Sequence, residues 1–221
     1  MLHLYAVVEG LDDLPRLAGV AGAPLGRLAV DGVEAIVSEH AVAEVEPSDA
    51  ALLEHAGVID AAMAGSSAIL PARFGRGFPD GRSLEEALRH EREELTRALE
   101  RVRRCVEFGV RMLAPVEQPP DPTGPLNGAD YMRARLGELE RSETLAATVH
   151  LALAERSREC ERVASPMSRL LLSGVYLVPV RHAAAFQDEV RRLERAHRDL
   201  GFLCTGPWPP YSFAAIGDDE R

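Results

Sequence analysis

The order of short strand-like runs and amphipathic stretches limits the fold of this chain more than any other feature. In the first half, apolar runs predict four strands, at residues 2–8, 25–30, 33–38 and 67–74. An amphipathic helix with Ser48 as its N-cap and Gly65 at its end lies between the third and fourth strands. A short helical piece at 12–18 completes the order β-α-β-β-α-β, which is typical of the ferredoxin-like, or split βαβ, fold.

The second half repeats this order. Strand-like runs lie at residues 105–113, 167–172, 175–180 and 202–205. Helical patterns lie after the first of these runs and before the last one. Ser173-Gly174 predicts a hairpin between the two middle runs. In the first half, Asp31-Gly32 predicts a hairpin more strongly, because a type I′ turn needs positive φ at both central residues.

The predicted fold class is therefore α+β, in two domains. Residues 1–103 form an N-terminal α+β domain that ends in a bridging helix, 83–103, which Ser83 and Glu86 open as a capping box. Residues 104–221 form a modified ferredoxin-like domain with a long helical segment, 128–163, and a C-terminal tail.

The long helical segment is the least ordinary part of this prediction. Thirty-six residues would span about 54 Å as one helix, which exceeds the diameter of a small domain. Polar residues interrupt its apolar face near the middle, so we expect a break between Gly137 and Thr144. A proline-rich stretch at 115–125 predicts a loop or linker before it.

Charge and cysteine content exclude several classes of protein. The formal charge of −10 works against sequence-independent binding to nucleic acid or to an anionic membrane. No run approaches the roughly 20 apolar residues of a transmembrane helix, and the N-terminus does not resemble a signal peptide. Cys105, Cys160 and Cys204 are far apart, which favours reduced thiols over a disulfide or zinc framework. The composition predicts a cytoplasmic globular protein.

A search for catalytic motifs yields no acid–base pair. Residues 75–81 follow a strand and precede a helix, but their spacing is G-x-G-x-x-x-G and Pro79 lacks a backbone donor for a phosphate. This loop therefore predicts a turn with positive φ. No two histidines lie two to four residues apart, and His197 on an apolar helix face predicts a packed core histidine. We predict no catalytic residue, cofactor or metal site.

The segment 206–213 is unusual because it holds the only tryptophan, three prolines and two further aromatic residues. The prolines stiffen the backbone, so little entropy is lost when an aromatic side chain docks. Two hypotheses stay open: these residues seal their own domain, with the indole pressed against it and Phe213 continuing into the sheet edge, or they anchor a partner. The candidate residues are Trp208, Pro209, Pro210, Tyr211 and Phe213.

At this segment the sequence resembles a known family. Gly-Pro-Trp-Pro-Pro-Tyr-Ser-Phe at 206–213 is similar to the C-terminal signature of the gas vesicle GvpF/GvpL proteins. The similarity extends to residues 170–180 and the helix after them, to the strand that contains Tyr5, and to residues 70–75, where Arg73, Phe74 and Gly75 form a structural motif.

The resemblance implies a non-enzymatic accessory protein without a cofactor. Such a protein would bind the small hydrophobic shell protein GvpA, and other gas vesicle accessory proteins, and would aid nucleation and assembly of the shell. The family fold implied is two-domain α+β with a ferredoxin-like C-terminal half. An association with the gas-facing side has been proposed for the family, but a charge of −10 fits a cytosolic adaptor better. The alternatives are a ligand-sensing regulatory protein and, less strongly supported, an enzyme that uses residues 73–81.

Overall fold

A computed structural model of the protein describes residues 1–42, 45–115, 128–162 and 169–214. The fold is α+β, as predicted. The chain forms two compact units. Unit 1 combines Met1–Val106 with the segment that begins at Trp208, and unit 2 is Glu107–Pro207. The predicted boundary kept the C-terminal tail with residues 104–221, whereas the structure places the tail in unit 1.

Unit 1 is built on one antiparallel sheet. Its strands are β1 (Leu2–Glu9), β2 (Leu25–Val30), β3 (Val33–Glu39), β4 (Ala68–Pro71) and the short β5 (Gly77–Phe78). The order is β2-β3-β1-β4, and β5 also pairs with β1. The predicted Asp31-Gly32 turn joins β2 to β3, with φ of 50° and 88° at these two residues. Helix α1 (Asp49–Gly65) precedes β4 and begins at the predicted N-cap, whose hydroxyl accepts the Ala51 N–H.

A β-bulge in β1 sets the core of unit 1. The register of β1 against β3 shifts between Leu4 and Ala6, so Tyr5 is the extra residue. Tyr5 and Ala6 therefore both belong to the cluster of buried side chains packed against α1. The Tyr5 hydroxyl accepts the Val20 N–H at 2.7 Å and lies 2.8 Å from the Ser38 hydroxyl.

This tyrosine also shows why the predicted helix at 12–18 is wrong. These residues contain no helix, and the connection from β1 to β2 carries only a 3₁₀ turn at Val20–Gly22. The turn is held by the hydrogen bond from Val20 to Tyr5. A Cβ at Gly19 would collide with the same hydroxyl, so the connection follows the tyrosine rather than a helical repeat.

Two helices replace the predicted bridging helix 83–103. They are α2 (Gly81–His90) and α3 (Arg92–Val102), and the backbone leaves helical geometry at Glu91, with φ of −91° and ψ of 6°. The N-cap is Asp80, not Ser83. Its carboxylate accepts hydrogen bonds from the Ser83 N–H at 2.8 Å and from the Ser83 hydroxyl at 2.9 Å. The residue predicted as the N-cap is therefore a hydrogen-bond donor to the actual N-cap.

Unit 2 has the ferredoxin-like topology that the sequence predicts. Its elements are β6 (Cys105–Leu113), α4 (Gly128–Ala154), β7 (Glu159–Arg162), β8 (Leu170–Pro179), α5 (Ala183–Ala196) and β9 (Gly201–Trp208), and the sheet order is β7-β8-β6-β9. The first residues of β6 and the last residue of β9 belong to unit 1. Phe186 of α5 stacks on Phe108 of β6 with ring centroids 5.0 Å apart, and Tyr176 of β8 packs beside it.

The predicted hairpin at Ser173-Gly174 is wrong, because both residues lie inside β8. The partner of this part of β8 is β7, where Arg162 pairs with Gly174. The glycine serves close packing: a Cβ there would lie 2.8 Å from the Tyr176 hydroxyl. Charged residues such as those of β7 are common on edge strands. In the sequence they are equally typical of the exposed face of a helix, which is why the strand was not predicted.

The predicted break between Gly137 and Thr144 is also wrong. Helix α4 runs through this region without interruption and ends at Ala154, nine residues before the predicted end. Its later turns bury Ala146, Val149 and Leu153, whereas Met132, Leu136 and Leu139 of its earlier turns are exposed. The proline-rich stretch from 116 onward lies outside the described residues.

Candidate functional site

A groove in unit 1 brings together two segments that the sequence singled out. It has a volume of about 650 Å³ and lies between one face of the sheet and helices α2 and α3. Leu4 and Val7 of β1 contribute to its wall. Pro71, Ala72 and Arg73 line it on one side, and Tyr211, Ser212 and Ala214 line it from the C-terminal segment.

The Arg73-Phe74-Gly75 motif forms a tight turn next to the groove. Gly75 has a φ of 85°, as the predicted positive-φ turn requires. The Arg76 N–H donates to the Arg73 carbonyl at 3.2 Å, and the Arg76 carbonyl accepts the Leu4 N–H at 2.9 Å, so the turn is fixed to β1. Arg73 is exposed at the groove, whereas Phe74 packs toward the core on the other face of the sheet.

The C-terminal segment is anchored by Phe213 and two prolines. Pro209 and Pro210 are buried, and the Phe213 side chain is 1% exposed. A 3₁₀ turn covers Tyr211–Phe213, in which the Phe213 N–H donates to the Pro210 carbonyl at 3.1 Å. The Arg101 guanidinium lies 5.6 Å from the centre of the Phe213 ring and donates to the Phe213 carbonyl at 3.4 Å.

The indole of Trp208 does not seal the domain. Its side chain is 48% exposed, and that of Tyr211 is 43% exposed. The indole is therefore not buried, as the domain-sealing hypothesis requires, whereas the ring of Phe213 is buried. Phe213 lies in a 3₁₀ turn rather than at a sheet edge, because the two prolines before it lack the N–H groups that would continue a strand.

The groove combines buried apolar side chains with charged side chains. Leu4, Leu84 and Leu88 are buried and line the groove. Arg76 and Glu91 form an ion pair at 3.5 Å across its side. Apolar side chains together with a few charged groups are usual in a binding groove.

On the opposite face of the sheet lies a buried histidine pair that sequence reasoning missed. His3 Nε2 is 2.9 Å from His55 Nδ1, and His55 Nε2 is 3.1 Å from the Ala72 carbonyl oxygen. Both side chains are buried, and Phe74 packs edge-on against His55. The two histidines are 52 residues apart, so no local spacing could have revealed the pair.

Burial keeps these histidines neutral. It lowers the pKa of His3 to about 4, with smaller contributions from the charges of His55 and His40. Burial also lowers the pKa of His55, and the hydrogen bond to Ala72 partly opposes this shift. Within the described residues, His3 Nδ1 is buried without a hydrogen-bond partner, and no group of three or more His, Cys, Asp or Glu side chains could hold a metal ion.

Comparison with known proteins identifies the family. The profile of the gas vesicle synthesis protein GvpL/GvpF family matches residues 1–215. The chain belongs to this family.

Named relatives agree with this assignment over nearly the full chain. Gas vesicle protein F2 of Halobacterium salinarum is 29% identical over 219 residues, which cover 97% of this chain and 92% of the relative. Gas vesicle protein L of Streptomyces sp. is also 29% identical, and the alignment covers 99% of this chain and 94% of the relative. The GvpF/GvpL resemblance predicted from the motifs is therefore confirmed.

The fold of the family is confirmed independently by a solved structure. The crystal structure of GvpF from Anabaena sp. PCC7120 superposes with a TM-score of 0.81, covers 100% of this chain and 98% of that one, and is 19% identical. Among the described residues of the GvpF/GvpL chain, no helix is long and apolar enough to cross a membrane.

Proposed function

We propose that this member of the GvpF/GvpL family is a non-enzymatic accessory protein of gas vesicle formation that binds the small hydrophobic shell protein GvpA and aids assembly of the shell. Family membership supports a role in gas vesicle formation. The observation that supports binding is the exposure of Trp208 and Tyr211 on a backbone fixed by buried neighbours.

This arrangement suits the recognition of an apolar partner. Because Pro209, Pro210 and Phe213 already hold the segment, docking the two exposed rings costs little further backbone entropy. Tryptophan and tyrosine are also the side chains that most often dominate binding energy at protein interfaces. The apolar surface of the shell protein would supply the driving force, since burying such surface is favourable in water.

The charge of the chain supports binding during assembly in water rather than at the gas phase. A formal charge of −10 and helices rich in arginine and glutamate favour hydration. We therefore propose an adaptor that holds shell subunits in the cytosol and associates with the growing vesicle. Other gas vesicle accessory proteins are further proposed partners.

Co-purification with the shell protein tests this function. The two proteins are co-expressed and purified in detergent-free buffer, and Trp208→Ala is compared with Leu53→Ala, which removes an apolar side chain that is 73% exposed on α1. We expect wild type and Leu53→Ala to retain the shell protein and Trp208→Ala to lose it with only a small decrease in melting temperature. Retention by all three proteins would contradict the proposed role of Trp208, and failure of the wild type would contradict shell binding itself.

A second candidate function uses the groove instead of the exposed rings. A volume of about 650 Å³ is within the usual range for small-molecule sites, and Arg76 with Glu91 offers charged contacts, so the groove supports a ligand-sensing regulator. A thermal-shift screen against a metabolite panel discriminates the two functions. A saturable rise in melting temperature that Leu88→Trp abolishes would favour sensing.

A further inference from the structure

The early turns of α4 present an exposed apolar stripe. The stripe consists of Met132, Leu136 and Leu139, whose side chains are 58%, 55% and 55% exposed. Their spacing of four and three residues places them on one face of the helix. The stripe ends at Glu143, which occupies the next position of the same repeat and pairs with Arg162 at 2.9 Å.

The charges beside the stripe follow the same repeat. Arg133 and Glu140 are seven residues apart and therefore lie on one flank, next to Met132 and Leu139 respectively. Arg135 and Ser142, also seven apart, lie on the other flank. The first flank thus carries a positive charge at one end of the stripe and a negative charge at the other.

We propose that α4 is a self-association surface, on which a second copy of this chain docks with its own α4 antiparallel. A twofold axis across the stripe places Leu136 of each copy against Leu139 of the other. In this register Arg133 of each copy lies opposite Glu140 of the other, so the same charge pair forms twice. The second flank brings Arg135 opposite the neutral Ser142.

Other pairings of the same stripe are less favourable. Moving the antiparallel register by one heptad places Arg133 against Arg133. A parallel pairing places Glu143 of both copies at the same core level, and burying two like charges together is unfavourable. The charge pattern therefore favours one orientation and one register of a second copy of the helix. An unrelated apolar segment would not require this pattern of charges.

The size of the stripe predicts weak association. Its three side chains extend over about 10 Å of helix, so the contact is smaller than the roughly 1,200 Å² of a stable interface. Arg133 and Arg135 also form ion pairs within α4, with Asp130 at 2.8 Å and Glu138 at 3.3 Å. Such exposed pairs contribute little to stability and can be exchanged on docking. We expect a monomer when dilute and a dimer at high concentration.

Sedimentation equilibrium of the purified chain over a wide concentration range tests the surface. Arg133→Glu and Glu140→Arg each create like-charge pairs, and we expect each to weaken dimerisation about fivefold to tenfold. An equimolar mixture of the two variants restores attraction at both pairs and should form the heterodimer. Arg135→Glu is the matched control and should leave the dimer unchanged, because in the antiparallel pairing this residue lies opposite the neutral Ser142.

Each result decides the proposal. A wild-type monomer at every concentration, single variants that dimerise as wild type does, or a mixture that fails to associate would overturn it. Loss of the dimer in Arg135→Glu would indicate the parallel pairing and would also overturn it. Leu136→Ser variants that lose the shell protein while self-association is unaffected would assign the stripe to another partner. Trp208→Ala should dimerise normally, so this test is separable from shell binding.

Discussion

The two units share a strand order but distribute their apolar side chains differently. In unit 1, strand alternation and the bulge at Tyr5 direct side chains to both faces, with α1 on one face and α2 and α3 on the other. In unit 2, α4 and α5 both contact β8 and each other, whereas Met132, Leu136 and Leu139 in the early turns of α4 are each more than half exposed. A common topology therefore does not decide how much apolar surface is left for partners. Helix length relative to the sheet decides it.

The largest expected effect concerns the anchor of the C-terminal segment in unit 1. Phe213→Ala removes a fully buried ring and should lower the free energy of unfolding by about 3–5 kcal/mol. Trp208→Ala removes a half-exposed ring five residues earlier and should cost under about 1 kcal/mol. Urea unfolding of both variants measures the difference. Equal decreases in the free energy of unfolding would show that Trp208 contributes to the packing of the segment as much as Phe213 does.

A second prediction concerns the two parts of α4 in unit 2. Leu153 is buried and Leu139 is 55% exposed on the same helix. Leu153→Ala should destabilise the protein by about 2–4 kcal/mol, whereas Leu139→Ala should change stability by under about 0.5 kcal/mol. Thermal unfolding of dilute protein is the appropriate measurement, because dimerisation would otherwise contribute. A large effect of Leu139→Ala on the monomer would show that the early turns are packed.

The units also differ in the ionisable groups that they bury, and pH tests this difference. The pKa of His3 is lowered from 6.5 to about 4 in the folded protein, so the unfolded chain binds this proton first. The contribution of neutral His3 to the free energy of unfolding is complete above pH 6.5 and is lost as the pH falls toward 4. The loss amounts to about 2 kcal/mol at pH 5.

The matched control for this effect is His3→Gln, because other ionisable groups of the chain also contribute to the pH dependence of stability. Urea unfolding at a series of pH values from 7.5 to 4.5 should show a shallower pH dependence for the variant. Parallel curves for the two proteins would show that His3 does not titrate differently in the folded and unfolded states.

The smallest expected effect concerns the start of α2. Asp80→Ala removes the carboxylate that accepts two hydrogen bonds from Ser83 and should lower the free energy of unfolding, because α2 loses its N-cap. Ser83→Ala, the cap that the sequence predicted, should cost less because the Ser83 N–H keeps its partner. Chemical denaturation of both variants provides the measurement. A larger loss for Ser83→Ala would restore the original capping assignment.

Local chemistry was sufficient for much of the fold. The Asp31-Gly32 turn, the Ser48 N-cap and the Gly75 turn each depend on neighbouring backbone geometry, and each is found where it was predicted. The α+β class follows from the periodicity of successive segments for the same reason. The family followed from a specific run of residues, 206–213, that needs no structure to recognise.

The tertiary structure decided what depends on residues far apart in the chain. The sequence could not show that Tyr5 replaces a helix by a hydrogen bond to Val20, that His3 meets His55, or that β7 is a strand. Likewise, composition marked the aromatic tail, but only packing against Arg101 distinguished buried Phe213 from exposed Trp208. Burial is a property of the surroundings that distant segments provide, so residue type and spacing determined the elements of this protein, and their contacts determined which side chains remain for a partner.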